Sequence, residues 1–363
     1  AVEDLTRKLL RKVFHQVIPS TCTLQTTNRC QAKCVHCSAA LHMARRDKPE
    51  LATDQFNKAI DQAITLGVVN VTLSGGEPLM RPDIYEICAH VNPEKACCVM
   101  FTNGELLSEE NVDRLAGANV YSVMVSLDSP VPAEHDELRG RPGMFEKAVA
   151  GIRRLLETDI LVGISTYATH ENLADGRLEQ MMELGRELGV HEVTIFDAVP
   201  TGKYLRKTDC MLTPQEREHI RQLTIRWRKD SRYPGVISMA WVNSPQGSGC
   251  FAANEQFYMT ASGDIGPCDF TPFTFGNIIE EPLSVIWRRM ISHPAYSKPH
   301  GTCRMQDPAF RRQYIDPIPE EASIPIELYK HAEMFPAQSD GGFVPSGHSK
   351  AAPSVVDMFS VGI

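Results

Sequence analysis

The sequence predicts an α/β protein built as a partial (β/α)6 TIM-like barrel with a small C-terminal domain. Strand-like and helix-like segments alternate from residue 21 to residue 198 and make about six units. Their short connections favour parallel strands joined by right-handed crossovers. Six units are too few to close an eight-unit barrel, so a curved and partly open sheet is expected. With 363 residues, 42% of them hydrophobic, the chain can also bury a second, smaller core.

The predicted strands are short segments with alternating or β-branched residues. They are Cys22–Thr26, Val69–Ser74, Cys97–Thr102, Tyr121–Leu127, Leu161–Ala168 and Glu192–Ala198. Helical patterns lie between them at Asp54–Leu66, Pro82–His90, Ser108–Ala116, Phe145–Thr158 and Leu178–Leu188. A later helix is predicted from Pro214 to about Lys229, because Thr213 is suited to its N-cap and proline to its first turn.

These patterns divide the chain into five segments. They are a leading helix at 1–19, the barrel at 20–205, a linker helix and strand at 206–245, the small domain at 246–307, and a Pro/Gly/Ser-rich tail at 308–363. Because such a tail buries little apolar surface by itself, it is expected to be either flexible or a strap laid over the domains.

Composition limits the class of protein. A net charge of −8 disfavours a broad nucleic-acid interface, which needs clustered Lys and Arg. No apolar run reaches the roughly eighteen residues of a membrane span, and the first residues are too charged for a signal peptide. We therefore expect a cytoplasmic protein without nucleic-acid or membrane partners. Its 11 cysteines then indicate metal ligation rather than disulfides.

Three of these cysteines, Cys30, Cys34 and Cys37, lie on the loop after the first strand with C-x3-C-x2-C spacing. Thiolates are soft ligands that suit iron–sulfur clusters and zinc. Three ligands for a four-iron cluster leave one iron open to bind something else. A structural zinc site is disfavoured because no second C-x2-C pair follows in the chain.

Polar residues follow the predicted strands where their carboxyl ends are expected to form a ligand-binding face. The second strand runs into Gly75-Gly76-Glu77-Pro78, where two glycines permit a close backbone approach and Glu77 can accept from an ammonium group. The fourth strand ends in Ser126-Leu127-Asp128, and Ser165 lies in the fifth. Taken alone, a Gly-Gly turn is the simpler explanation of the glycine motif.

The three-cysteine loop and the Gly-Gly-Glu-Pro motif together resemble the radical S-adenosylmethionine (SAM) superfamily over about residues 20–205. The resemblance implies a [4Fe–4S] cluster on Cys30, Cys34 and Cys37, whose open iron is chelated by SAM. It also implies one-electron cleavage of SAM to methionine and a 5′-deoxyadenosyl radical, with reduced flavodoxin or ferredoxin as the electron donor.

The same resemblance assigns SAM contacts. It places Gly75, Gly76 and Glu77 at the aminoacyl end, Ser126 and Ser165 near the carboxylate or ribose, and His36 and Phe196 near adenine. Most members carry an aromatic residue at the His36 position. Asp128 is expected on the substrate side, as a ligand or an orienting carboxylate. Arg139 is a catalytic candidate, although structural roles are commoner for Arg139 and His135.

A second cysteine set occurs in residues 246–307. A predicted hairpin brings Cys250 and Cys268 together, and Cys303 follows in a loop. The C-x12-G-x4-C form resembles the opening of SPASM and twitch auxiliary-cluster domains. A full SPASM domain ends in a cysteine-rich segment that includes C-x2-C, and because this segment is missing here, the shorter twitch type is favoured. The resemblance implies a second [4Fe–4S] cluster, with Cys210, another side chain or the substrate as fourth ligand. A reduced hairpin or a zinc site is the alternative.

The expected function is that of a radical SAM oxidoreductase or maturase. It would abstract hydrogen from a peptide or a small molecule, in an oxidation or a natural-product modification assisted by the auxiliary cluster. Alternatives are a sugar-alcohol-like dehydrogenase or rearrangement enzyme of the same superfamily, and a non-catalytic iron–sulfur protein. A tRNA-modifying enzyme is disfavoured by the net negative charge of the chain.

Overall fold

The computed structural model describes residues 17–43, 48–331 and 334–335. Most of the predicted leading helix, and the tail beyond these ranges, lie outside the described residues. Among the described residues, none forms a helix with the length and apolarity that a membrane span requires.

The described strands are β1 Thr21–Gln25, β2 Asn70–Ser74, β3 Cys97–Thr102, β4 Val120–Ser126, β5 Leu161–Ala168, β6 Glu192–Asp197, β7 Gly235–Ser238, β8 Gln256–Met259, β9 Ile265–Gly266, β10 Phe273–Thr274 and β11 Ile326–Glu327. The described α-helices are α1 Ala40–Met43, α2 Thr53–Leu66, α3 Ile84–His90, α4 Glu109–Ala116, α5 Pro132–Arg139, α6 Met144–Leu155, α7 His170–Ala174, α8 Arg177–Leu188, α9 Pro214–Arg228, α10 Met239–Val242, α11 Leu283–Ser292 and α12 Pro308–Phe310. A π-helical turn follows at Arg311–Ile315.

One twisted sheet organises the fold. Its strand order is β7-β6-β5-β4-β3-β2-β1-β8-β9, and each neighbouring pair is parallel except the antiparallel β8 and β9. The helices between the strands bury one apolar stripe each, as Phe56 and Ile60 do in α2 and Ile152 and Leu155 in α6. The predicted α/β partial barrel is confirmed, and each of its six predicted strands is present.

The sheet extends beyond six strands at both edges. Strand β7, from the segment predicted as a linker, pairs with β6, and β8 of the small domain pairs with β1 from Thr21↔Gln256 to Leu24↔Met259. A four-residue strand carries too little periodic signal to show this in the sequence. The linker and the small domain therefore complete the sheet instead of lying beside it.

Residues 308–331 are folded. Phe310, Tyr314 and Ile326 are buried, and β11 pairs in parallel with β10. The guanidinium of Arg311 donates to the carbonyl of Leu205 at 2.8 Å. This part of the segment predicted as a tail therefore packs against the chain that follows β6.

Replacing Thr213 with alanine is expected to lower the free energy of unfolding by about 1 kcal/mol. Thr213 caps α9 reciprocally: its hydroxyl accepts from the Glu216 amide at 3.2 Å, and the Glu216 carboxylate accepts from the Thr213 amide at 2.7 Å. Urea denaturation compares Thr213→Ala with Thr213→Ser, which keeps the hydroxyl. Equal stabilities of the two variants would show that the cap contributes nothing.

Candidate active site and auxiliary cysteine site

The three cysteines of the first loop lie at the carboxyl end of β1, and each is half-buried. Burial raises the pKa of the Cys30 thiol to about 11, and Glu77, Cys34 and Cys37 add to the rise. Burial and Cys34 likewise raise the pKa of Cys37. The charges of Cys34 and Cys37 act on Cys30, and that of Cys34 acts on Cys37, so the three thiols lie near one another.

The cysteine loop is clamped by α5. The amides of Lys33 and Val35 donate to the carbonyls of Arg139 and Leu138, each at 2.9 Å. A Cβ added at Gly140 would lie 3.0 Å from the Lys33 carbonyl oxygen, and this glycine also has a φ of +58°. Glycine is therefore needed where the end of α5 meets the loop.

A second clamp comes from the chain after β6. The amide of Lys203 donates to the Cys37 carbonyl at 3.1 Å, and its ammonium donates to the Cys34 carbonyl at 2.6 Å. A Cβ at Gly202 would lie only 2.0 Å from the Cys37 carbonyl oxygen. Two clamps therefore hold the loop, one from α5 and one from the chain after β6.

Two donors approach the sulfur atoms of this loop. The Asn103 amide nitrogen lies 4.0 Å from the Cys30 sulfur, and Nη1 of Arg139 lies 3.7 Å from the Cys34 sulfur. Such contacts stabilise the thiolate form of a cysteine and influence the reduction potential of a metal that the thiolate binds. The soft donor set and these partners fit a [4Fe–4S] cluster held by three cysteines.

The glycine motif lies directly against the start of the cysteine loop. The amides of Gly76 and Glu77 donate to the carbonyls of Thr27 and Arg29, each at 2.8 Å. A Cβ at Gly76 would lie 2.1 Å from the Arg29 carbonyl oxygen. Gly75 has a φ of +143°, which side-chain-bearing residues rarely adopt. The two glycines therefore permit the two loops to pair.

Glu77 faces into the fold. Its carboxylate is fully buried and accepts from the Thr102 hydroxyl at 2.7 Å and from the amides of Asn103 and Leu79 at 2.8 and 3.2 Å. These bonds leave one acceptor position on Oε2, so the expected role of this carboxylate as the acceptor for the SAM ammonium group stays a prediction. The Glu77 side chain also joins the end of β2 to the end of β3.

A cavity of about 520 Å³ opens at the carboxyl ends of β4, β5 and β6. His36 of the cysteine loop and Phe270, two residues after Cys268, both line it. The Thr201 hydroxyl donates to the Phe270 carbonyl at 2.7 Å and joins the chain after β6 to the segment that follows Cys268. The volume is typical of a ligand-binding site, and the lining includes residues adjacent to both cysteine sets.

A buried charged group lies at the floor of this cavity. Arg139 pairs with Asp128 at 2.8 Å through Nη2 and at 2.5 Å through Nε, and His36 lies 3.4 Å from the same carboxylate. Burial opposes the charge on Asp128, but Arg139 and His36 hold its pKa below the usual value. The carboxylate therefore stays charged beside the cavity.

The structure supports a structural role for His135. Its Nδ1 accepts from the Asp128 amide at 3.1 Å, and its ring packs edge-on against Phe145. Burial lowers the pKa of His135 to about 4, so the ring is neutral near pH 7. It fixes the backbone of Asp128 and does not reach the cavity.

Aromatic rings continue from the cysteine loop across the strand ends. The ring of Tyr167 lies 4.7 Å from that of His36 and 6.0 Å from that of Phe196, measured between centroids. The hydroxyls of Ser126 and Ser165 lie 3.3 Å apart on neighbouring strands. Tyr167 was not predicted, although period-two alternation puts it on the same face of β5 as Ser165.

The second cysteine set lies buried in the small domain. The β8–β9 hairpin is present, and Cys250, Cys268 and Cys303 are buried. Burial raises the pKa of Cys303 to about 12 and that of Cys268 well above its usual value, and Cys250 adds to both rises. Metal binding would relieve this cost because it takes the thiolate form. Cys210 has a different partner, the Lys207 carbonyl, to which its thiol donates at 3.0 Å.

In the described ranges, no group of three or more His, Cys, Asp or Glu side chains is arranged to hold a single metal ion.

Two family models match the chain, one described as the Radical SAM superfamily over residues 24–185 and one as the SPASM iron–sulfur cluster-binding domain over residues 250–307. The AdoMet-dependent heme synthase of Methanosarcina barkeri is 30% identical over 291 residues, which cover 74% of this chain and 82% of that protein. The chain belongs to the radical SAM superfamily.

Two other proteins similar to this chain are a peptide cyclase and a protein bound to a precursor peptide. The PqqA peptide cyclase of Gluconobacter oxydans is 28% identical over 300 residues, covering 80% of this chain and 81% of that protein. The crystal structure of Streptococcus suis SuiB bound to the precursor peptide SuiA superposes with a TM-score of 0.64 at 18% identity, covering 78% of this chain and 68% of that one. At that identity the match to SuiB shows the fold.

The predicted superfamily and cofactors are confirmed. A radical SAM domain implies a [4Fe–4S] cluster and SAM, and a SPASM domain implies auxiliary iron–sulfur binding. The matched SPASM region contains three cysteines, Cys250, Cys268 and Cys303. The shorter twitch type therefore stays a prediction.

Two acidic residues of this radical SAM protein were missed from the sequence. Asp197 ends β6 and lines the cavity, and Asp269 directly follows Cys268. Burial raises the pKa of Asp269 to about 6, and its charge acts on Tyr167 and Tyr258. A strand-end rule applied to β6 would have found Asp197; no local signal singles out Asp269.

Proposed function

We propose that this protein is a radical SAM enzyme that cleaves SAM reductively and abstracts hydrogen from a substrate held in the 520 Å³ cavity. The observation that carries the proposal is the position of this cavity, which reaches from His36, beside Cys37, to Phe270, near Cys268. The cluster and SAM supply the one-electron chemistry. The chain holds SAM and the substrate in place and keeps water away from them.

The proposed SAM contacts follow the positions of the side chains. Cys30, Cys34 and Cys37 hold the cluster, and Ser126 with Ser165 contacts the carboxylate or ribose. His36 and Phe196 contact adenine, which suits their place in the aromatic row. Because the Glu77 carboxylate is enclosed, we propose that Gly75, Gly76 and Glu77 meet the SAM amino group through their backbone.

Asp128 is proposed to orient the substrate from the cavity floor. Its charge is maintained by Arg139, which acts as a positioning residue through the ion pair. Arg139 also approaches the Cys34 sulfur at 3.7 Å, so one guanidinium contacts both the Asp128 carboxylate and the cluster loop.

The cavity lining favours an uncharged or cationic substrate. Its acidic residues are Asp128, Glu134, Glu137, Glu171, Asp175 and Asp197, whereas its one arginine, Arg177, is paired with Glu134 at 2.8 Å. A substrate rich in carboxylates would be repelled. We propose oxidation or cross-linking of a peptide, with an uncharged small molecule, such as a sugar alcohol, as the second candidate.

We also propose a cytoplasmic location and a reduced flavodoxin or ferredoxin-type electron donor. Six of the eleven cysteines form the two proposed ligand sets, and a reducing compartment would keep them available as thiolates.

The test is anaerobic reconstitution followed by incubation with dithionite and SAM. We expect wild-type protein to release 5′-deoxyadenosine, detected by liquid chromatography and mass spectrometry, and a Cys210→Ser control to release the same amount. Intact SAM in the presence of protein loaded with about four or more irons would contradict the proposal and favour a non-catalytic iron–sulfur protein.

A further inference from the structure

The side chain of Asn103, directly after β3, is buried beside the first cysteine loop. The residue is 6% exposed, and its Nδ2 lies 4.0 Å from the Cys30 sulfur. Its backbone amide donates to Oε2 of Glu77 at 2.8 Å, which fixes Asn103 against the glycine motif. Within the described residues, the lining of the 520 Å³ cavity does not include Asn103. A contact with the substrate therefore does not explain this buried amide.

The backbone amide of Glu105 determines which way the Asn103 side chain points. This amide donates to Oδ1 at 3.0 Å, and because a backbone N–H can only donate, the atom that faces it is the oxygen. The Gln31 side chain donates to the same oxygen at 3.2 Å. These two contacts hold Oδ1, so the NH2 group is left to face Cys30.

The turn that carries Asn103 is held in place by α6 and by the residue that follows Gly140. The Glu105 carboxylate is paired with Arg141 at 2.9 Å and with Lys147 at 2.7 Å, and its side chain is 4% exposed. Gly104 has a φ of +81°, and an added Cβ would lie 2.9 Å from a backbone atom of α6. The Asn103 donor is therefore ordered before it meets the sulfur, and little conformational entropy is lost in the contact.

An N–H group that donates to a cysteine sulfur changes the redox properties of the cluster that the sulfur binds. Reduction adds one electron, so the sulfur atoms of the reduced cluster carry more negative charge and gain more from the hydrogen bond. A donor in this position therefore raises the reduction potential of the cluster.

We propose that Asn103 is a positioning residue that raises the reduction potential of the first cluster through the bond from its side-chain amide to the Cys30 sulfur. Gln31 and Glu105 orient the amide for this bond. A higher potential makes the cluster easier for the electron donor to reduce. The inference rests on the radical SAM cluster of the proposed function.

The first experiment detects the bond in the whole reconstituted protein, with nitrogen-15 in the side-chain amides of asparagine. The clusters are reduced with dithionite, and the EPR signal that SAM alters identifies the first cluster. We expect pulsed EPR to show a nitrogen-15 coupling on this signal that is lost in Asn103→Ala. The coupling should be unchanged in the matched control Asn28→Ala, because Asn28 lies on the same loop but its Oδ1 accepts from Gln25 at 2.8 Å. A wild-type signal without the coupling would overturn the inference.

The second experiment is a potentiometric titration of the same signal. At a fixed solution potential, we expect the ratio of reduced to oxidised cluster to fall about two- to fivefold in Asn103→Ala. The fall should be smaller in Gln31→Ala, which loses one of the two contacts to Oδ1. Asn103→Asp, measured at about pH 8, keeps an acceptor for the Glu105 amide but has no N–H, so its ratio should fall as well.

A wild-type ratio in Asn103→Ala or in Asn103→Asp would show that Asn103 only shapes the turn, and would overturn the inference. The wild-type coupling and the Gln31→Ala titration test the inference even where Asn103→Ala does not retain its cluster. Release of 5′-deoxyadenosine with excess dithionite is measured on the same samples, so failure of the proposed reaction is recognised independently.

Discussion

Replacement of Cys30, Cys34 and Cys37 by alanine is expected to lower bound iron from about eight to about four atoms per chain and to abolish formation of 5′-deoxyadenosine. The three thiols lie on a loop clamped by α5 and by Lys203, so removing them removes one centre completely. The auxiliary cysteines are buried in a separate region and should keep their cluster. Iron and sulfide are measured in the wild-type protein and the triple variant, and 5′-deoxyadenosine is assayed in parallel.

The control is a Cys97/Cys210→Ala double variant, which removes two half-buried cysteines outside both sets. We expect it to retain wild-type iron content and product formation. Wild-type protein with about four irons that fall to none in the triple variant would leave Cys250, Cys268 and Cys303 as ordinary thiols. Product formed by the triple variant would contradict the assignment of the first loop.

The barrel strands were predictable because each carries its own local pattern. Strand β5 was predicted at the observed bounds, Leu161–Ala168, since its β-branched and apolar residues are enclosed by helices on its flanks. The pairing of β1 with β8 joins Thr21 to Gln256, and nothing near either residue records the other. Contacts between distant segments are a property of the folded chain, so the extended sheet had to be observed.

The candidate site also has features that the sequence predicted and features that it did not. The cysteine spacing and the glycine pair were visible because their chemistry depends on neighbours in sequence. The direction of Glu77 was not, because it is determined by Thr102 and Asn103 on the next strand. Asp197 was missed for a different reason: it ends β6, and the strand-end rule that found Asp128 was not applied to that strand.

Replacement of Arg139 by methionine is expected to lower the free energy of unfolding by about 3–5 kcal/mol. The pair with Asp128 is buried, with the two side chains 10% and 2% exposed, so the variant leaves an uncompensated carboxylate away from water. It also removes the donor 3.7 Å from the Cys34 sulfur, so cluster occupancy should fall as well. Urea denaturation of the reconstituted protein and iron analysis measure the two effects.

A double variant, Asp128→Asn with Arg139→Met, separates the causes. It leaves no buried charge, so it should regain much of the lost stability even though the ion pair is absent. The lost contact with Cys34 is not restored, so its iron content should stay low. Arg186→Met is the surface control, because Arg186 pairs with Glu183 in solvent and its loss should change stability little. A double variant no more stable than Arg139→Met would show that the uncompensated Asp128 charge is not the source of the loss.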